Sequence, residues 1–282
     1  MTNESTFNDI SSLVNDIQEG AVLVAREQGI MPLIVRVFRD NQSMDGRKLY
    51  RSVGGTVGTI SESTDMSSQT FTPSALSTIS PSIYGAQYFL TDARIASAWY
   101  DEQALASQDL GEVLGVSADK ALLSSFTSLT GGTVGTAGSV IQWSNFFSMA
   151  SILRSQNAPL PYRFVCHPYT WDALAKKMTV GASATNSPAA QDEAFRNFWV
   201  SNVGGIDIYV DGNITAGTAA VCAMFSQDAF AFDVRRPMRI EVQRDASRSG
   251  GGYELNATMI FGAGVWRATF GVQGTFDASA PS

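Results

Sequence analysis

At 282 residues, 44% of them hydrophobic, the chain can bury one large core or two smaller ones and is not a disordered polypeptide. Only 16% of residues are charged and fifteen of the nineteen basic residues are Arg. The ordinary charged share is about 25%, and Lys-poor, Arg-rich surfaces are those that meet other subunits, although a Ser/Thr/Gly-rich exterior would give the same deficit. The net charge of -7 argues against a dedicated nucleic-acid binder, which would carry a basic patch or stripe. It leaves room for a container that encloses nucleic acid without gripping it.

The first 18 residues are polar and acidic, without the basic start of a signal peptide. No apolar run reaches the ~18 residues of a membrane span. Ser5 to Gln28 reads as an amphipathic helix, with Ile10, Leu13, Val14, Ile17, Ala21 and Val24 on one face and Gly29 at its end. Leu33 to Phe38, behind Pro32, is a nearly continuous apolar run and predicts a strand. From Asn41 to Thr72 the chain turns rich in Gly, Ser and Thr. Lys48–Val53 and Thr56–Ile60 read there as a two-stranded ribbon turning at Gly54-Gly55. Such a ribbon is marginal by itself and needs a surface to lie on.

Tyr84 to Phe126 carries the strongest pattern. Behind a short lead-in, Leu110, Val113, Leu114, Ala118, Ala121, Leu122 and Phe126 recur at three- and four-residue steps, which predicts one long helix. Asp101 is placed to cap it, and Gly131-Gly132 stops it after Leu129. At about 1.5 Å per residue it would be roughly 40 Å long, close to the diameter of a globule this size. A helix that crosses its whole subunit is a beam. Gly111 and Gly115 within it predict close approach of another segment, because each Gly costs a helix roughly 1 kcal/mol against Ala.

Thr130–Ser139 reads as a connector and a domain boundary. A mixed section follows. Trp143 to Gln156 is helical with Phe146, Phe147, Ala150 and Leu153 on one face, and Tyr162 to Cys166 is a strand. Pro168 opens a helix to Met178, 180–190 is a loop, and 191–200 is a short aromatic helix. Ile206–Val210 and Ala219–Phe225 are strands joined through DGNITAGT. The last quarter is β. Met238, Ile240 and Val242 alternate with polar residues, and Tyr253, Leu255, Ala257, Met259 and Phe261 alternate back after ASRSGGG. Gly262 and Gly264 should interrupt that strand before another at Val265–Val272.

Catalytic chemistry is thin. The single histidine, His167, adjoins Cys166, so on a strand the two side chains point to opposite faces and cannot form a nucleophile–base pair. Cys166 and Cys222 have no metal or redox spacing and read as buried free thiols. The Gly-rich stretches at Gly54 and Gly131 lack the Lys-Ser/Thr of a phosphate loop. Asp92, Asp101, Glu102, Asp109, Glu112 and Asp119 stud the long helix and its approach, and read as a solvated or inter-subunit face. Arg235, Arg236, Arg239, Arg244 and Arg248 form one basic cluster. It suits either phosphates of enclosed DNA or acidic groups of a neighbour, and the acidic balance favours the second. The sequence predicts no enzyme: no catalytic residue, no cofactor and no metal site.

Several blocks in order resemble the tailed-phage major capsid proteins of the Hong Kong 97 fold. They are FTPSALSTISP, YGAQYFLTDARI, DLGEVLG, FVCHPYTWDALAKK, GGIDIYVDGNI, AMFSQDAFAFDVRRPMRIEVQRD and GAGVWRATFGVQGTF, and the resemblance as a whole extends over about Leu13 to Phe276. The resemblance implies an α+β fold in four parts. Residues 1–40 would be an N-terminal arm and 41–72 an extended loop, the E-loop, reaching over neighbours. Residues 73–132 and 233–282 would form a peripheral domain, the spine helix with its β-sheet. Residues 133–232 would form a mixed α/β axial domain. It further implies self-assembly into hexamers and pentamers of an icosahedral shell around double-stranded DNA, made in the host bacterial cytoplasm. Scaffolding and portal proteins would be partners, with decoration proteins a further class and no membrane involved. The chain shows no extra length before its arm, which predicts a separate scaffolding protein. The second reading is an encapsulin-type protein nanocompartment of the same fold.

Overall fold

The structure is a computed structural model. It describes residues 29–39, 44–52, 73–98, 101–180, 202–248 and 250–281, with isolated positions between 57 and 70. The helices expected at 5–28 and 191–200, the Gly54-Gly55 turn and the loop beyond Val180 lie outside the described residues.

The long helix organises the chain. α3 (Glu102–Ser124) follows α1 (Met31–Ile34) and α2 (Asp92–Ser97). Asp101 caps it as expected: its carboxylate accepts the amides of Gln103 and Ala104 at 3.0 and 3.1 Å, satisfying donors that have no partner within the helix. A 3-10 turn at Ser125–Ser128 ends it. Leu110, Leu114, Ala118, Leu122 and Phe126 are buried, whereas Val113 of the predicted face points outward and Gly111, Gly115 and Asp119 share the buried stripe. The Gly stripe admits the chain entering α1. A Cβ on Gly29 would stand 3.7 Å from the Gly115 carbonyl oxygen.

Two sheets flank this helix. The first has the order β1 (Arg36–Phe38), β10 (Phe230–Asp245), β11 (Gly252–Val265), β4 (Ser82–Thr91). β10 and β11 form the expected long antiparallel hairpin, with Ile240 opposite Ala257 and Val242 opposite Leu255. Its register shifts on either side of Arg236, next to Pro237, which lacks the N–H the ladder needs. The second sheet has the order β5 (Thr133–Val134), β12 (Gly271–Ala278), β9 (Gly217–Ser226), β6 (Tyr162–Cys166), β8 (Ile206–Val210), β7 (Asn202–Val203). α4 (Trp143–Ser155) and α5 (Pro168–Val180) follow β5 and β6 along the chain. The core divides accordingly. Leu110 and Leu114 pack on Met238, Ile240, Leu255 and Ala257. Ala118, Leu122 and Phe126 pack with Phe225, Phe230, Phe232 and Phe261. Phe146, Met149 and Leu153 of α4 join Phe164, Ile208, Met224 and Phe276 in a third cluster.

Several expectations are corrected. Only Arg36–Phe38 of the run 33–38 is a strand. Pro32, in the first helical turn, presets the backbone for α1, and a short apolar run does not by itself separate helix from strand. β2 (Arg47–Ser52) pairs with β3 (Pro73–Ile79), from Arg47 opposite Ile79 to Ser52 opposite Pro73; the strand expected at Thr56–Ile60 lies largely outside the described residues. The lead-in to the long helix is the ten-residue strand β4, ladder-paired to β11 throughout. On α4, Phe147 is 51% exposed and Met149 takes the buried place. The supposed connector contains β5. Gly262 and Gly264 do not break β11: a Cβ at 262 would meet Ile79 at 2.8 Å, so the glycine serves close packing. The terminal strand is Gly271–Ala278, not Val265–Val272. It leaves the hairpin through a 3-10 turn at Ala268–Phe270 and pairs with β9 and β5. Residues 271–278, grouped by sequence with the first sheet, therefore belong to the second.

Candidate assembly surfaces and the joints beneath them

The ribbon β2–β3 is rooted by a buried ionic knot. In the run FAFDVRR, Asp233 and Arg235 stand two apart on β10 and so share one face of the strand. Asp233 is fully buried, and its Oδ2 accepts from Arg235 Nη2 at 2.7 Å and from Arg47 Nε at 3.0 Å. Arg235 also donates to the Asp45 carbonyl at 2.9 Å. The Arg47 guanidinium lies 4.3 Å from the centre of the Phe38 ring, which packs on Trp266. Ser77 of β3 donates to the Trp266 carbonyl at 3.0 Å. One carboxylate thus holds β2 and β10, and Arg235 brings in the chain at Asp45. A buried carboxylate needs such donors, because leaving it unpaired costs several kcal/mol.

A second joint sits under the C-terminal half of α3. Asp119 is fully buried. Its Oδ1 accepts the Met31 amide at 2.9 Å and its Oδ2 accepts Asn213 Nδ2 at 3.0 Å. The Asp211 carboxyl also faces it, and burial together with that neighbour pushes Asp119 up to about 7. His167 closes the end of β6. Its Nδ1 accepts the Tyr169 amide at 3.1 Å, and burial lowers its basicity. Both cysteines are free and buried, and burial pushes Cys222 up to about 12 and Cys166 in the same direction. Neither thiol is a nucleophile at neutral pH.

Of the carboxylates on the long helix and its approach, Asp101, Asp109 and Glu112 are exposed and Asp92 half-buried, whereas Glu102 and Asp119 are buried, which corrects the reading of a solvated face for those two. Asp92 accepts from Arg244 at 2.8 Å and Glu102 from Arg94 at 2.9 Å. Asp109 accepts from the Tyr88 hydroxyl, which raises the phenol's pKa. The basic cluster is likewise spent internally. Arg239 meets Glu241 at 2.6 Å, Arg248 meets Glu254 at 3.2 Å, and Arg236 donates to Thr258 at 3.0 Å. Sequence reasoning missed Asp211, Asn213, Asp233 and Arg47. A charged residue two before an Arg inside an apolar strand was the available signal for the knot. No local signal pairs Asp119 with Asp211, 92 residues away.

Apolar side chains remain exposed at several separate places: Leu33 on α1, Tyr50 on β2, Ile83 on β4, Leu105 on α3, Phe147 on α4 and Leu160 before β6. Among the described residues no group of three or more His, Cys, Asp or Glu gathers as a metal site would, and no helix is long and apolar enough to cross a membrane.

Comparison with known proteins matches this architecture. The family model described as phage capsid protein matches residues 75–273. No curated protein sequence matches the chain. Among solved structures, the capsid of cyanophage P-SCSP1u is similar at 15% identity, over 89% of each chain, with a TM-score of 0.71. Mycobacterium phage Che8 matches at 15% identity over 88% of this chain and 91% of that one, with a TM-score of 0.68. The capsid of a native GTA particle matches at 16% identity over 92% and 91%, with a TM-score of 0.68. These likenesses show the fold, which is α+β and of the Hong Kong 97 capsid type. With more than half of its length inside the family model, the chain belongs to the phage capsid protein family and is a structural component of the virion shell.

Proposed function

We propose that this protein is the major capsid subunit, which assembles as hexamers and pentamers and closes into an icosahedral shell around double-stranded DNA. The observation that carries this reading is the coupling of a stiff body to a rooted extension. α3 ties both sheets into one core, and the ribbon β2–β3 leaves that core from a buried ionic knot. A rigid body sets the angles between neighbours, and a ribbon with a firm root can reach one of them. Many weak contacts then sum, because each neighbour in place positions the next.

In this reading residues 1–40 are the arm and 41–72 the extended loop. Residues 73–132 with 233–270 form the peripheral part, and 133–232 with the terminal strand form the axial part. Exposed Phe147 and Leu160 would meet other subunits around the capsomer axis. Assembly would take place in the host bacterial cytoplasm, with scaffolding and portal proteins as partners. The enclosed DNA is held without sequence recognition, as the acidic balance requires. The matched family is that of phage capsids, so the nanocompartment reading is not carried further.

Expression of the chain with and without its candidate scaffolding partner, followed by negative-stain electron microscopy, tests this. Closed shells or six- and five-membered rings are expected, with nuclease-protected DNA in native particles. A homogeneous monomer or dimer under every condition would overturn the assembly reading.

A further inference from the structure

The joint at Asp119 is built from three parts of the chain that are distant in sequence. From α3 comes Asp119, with no exposed surface. From the entry to α1 comes the Met31 amide, bound to Asp119 Oδ1 at 2.9 Å. From the turn after β8 come Asp211 and Asn213. The Asp211 amide donates to the Cys166 carbonyl at 3.0 Å, and its Oδ1 accepts the Asn213 amide at 2.8 Å. Asp211 is 3% exposed, and its Oδ2 is buried with no donor in reach; the group beside it is the Asp119 carboxyl. Two carboxyl groups in contact in a dry site cannot both be ionised. One proton between them turns repulsion into a hydrogen bond and satisfies the orphaned oxygen.

The surroundings do not neutralise the pair. His167, at the β6–α5 junction, feels Asp211, but burial outweighs that attraction and lowers its pKa. Lys120, the next residue on α3, lines the cleft beside Asn213. The α1 segment offers a backbone amide and no charged side chain. That cleft, of about 860 Å³, is lined by Lys120, Leu123 and Ser124 of α3, by Thr127 of the turn that ends it, and by residues 212–219, so the chain that follows the 211–213 turn borders open space.

We infer that the Asp119–Asp211 pair is a single-proton latch. While the pair holds a proton, the α1 segment and the 211–213 turn are tied to α3. When the proton passes to solvent, the two anions repel and the 211–213 turn is driven off α3, while the Met31 amide keeps its bond to the ionised Asp119 carboxylate, the better acceptor. The latch therefore sets whether the 211–213 turn is docked on α3 or released from it. This rests on the geometry of one chain and not on the shell reading, so it can fail while that reading stands, and the reverse.

Hydrogen exchange of the full-length protein from pH 5.5 to 8.5, corrected for the intrinsic pH dependence of exchange, tests it. Protection of peptides spanning 211–216 should fall by about tenfold per pH unit up to about pH 7 and level off above it, the course of a one-proton opening, while the α1 peptide 29–35 and the β10–β11 hairpin stay protected. Asp211→Asn should flatten the profile. Its side-chain oxygen keeps the Asn213 amide and its Nδ2 donates permanently to Asp119. If Asp211→Asn does not fold, Asp119→Asn removes the same titration from the helix side. Flat wild-type protection, or the same fall in the folded variant, would overturn the latch.

Discussion

The two buried polar joints have opposite electrostatics. At the root of the ribbon, Asp233 is met by two guanidinium groups, Arg47 and Arg235, at 3.0 and 2.7 Å. Beneath α3, Asp119 is met by a second carboxyl and by neutral donors only. Burial removes water from both, yet the consequences diverge. Opposite charges compensate each other at any pH at which Asp233 is ionised. Like charges are tolerated only while a proton is shared. The first arrangement makes a fixed root for the ribbon β2–β3. The second makes a joint whose strength depends on the medium.

Three experiments break or sharpen this contrast. The largest effect is expected at the compensated joint. Asp233→Ala leaves Arg235 buried without its carboxylate, and such broken pairs lose about 3–5 kcal/mol. Chemical denaturation of the purified subunit measures this, and the loss should be nearly the same at pH 6 and pH 8. A loss below about 1 kcal/mol would mean that water or relaxation replaces the carboxylate.

Next in size is the pH dependence of the wild type. Asp119 is raised in the folded chain to about 7, against about 3.8 for the free side chain. The folded state therefore holds a proton that the unfolded state releases, so stability is highest below the ordinary carboxylate range and declines as pH rises through about 7. The decline should total a few kcal/mol, on the scale of about 1.4 kcal/mol per pKa unit. Thermal unfolding from pH 4.5 to 8.5 reads it directly. A midpoint that climbs across that window would contradict the assigned sign. The smallest effect belongs to the exposed pair Arg244–Asp92, which shares the bidentate geometry of a strong contact but sits in water. Arg244→Ala should lower the unfolding midpoint least of the three, and less still in high salt. A larger loss would point to the stacking of Arg244 on Tyr253, which lies 5.0 Å from its ring centre.

The sequence was most legible where structure is local and periodic. The three- and four-residue spacing from Leu110 to Phe126 and the cap at Asp101 announced α3. The alternation from Met238 to Val242 and from Tyr253 to Phe261 announced the long hairpin. Each of these follows from backbone periods of 3.6 and 2 residues that a chain displays before it folds. Legibility failed where an apolar run carries no period, as at Leu33–Phe38. It failed again where a strand's partner lies beyond a long connection, as for β2 and β3.

What the sequence determined by itself is therefore the set of stiff elements, the low-charge surface, the membership suggested by ordered blocks, and the lack of a histidine-based site. What only the tertiary structure decided is which distant polar groups share a dry space. Asp119 and Asp211 stand 92 positions apart, and Arg47 and Asp233 stand 186 apart. Nothing in the local context of Asp119 separates it from the solvated carboxylates of the same helix. Its burial, its second carboxyl and its shared proton arise only when β8, α1 and α3 meet. The cost of removing a charge from water is then settled by the neighbours that the fold supplies.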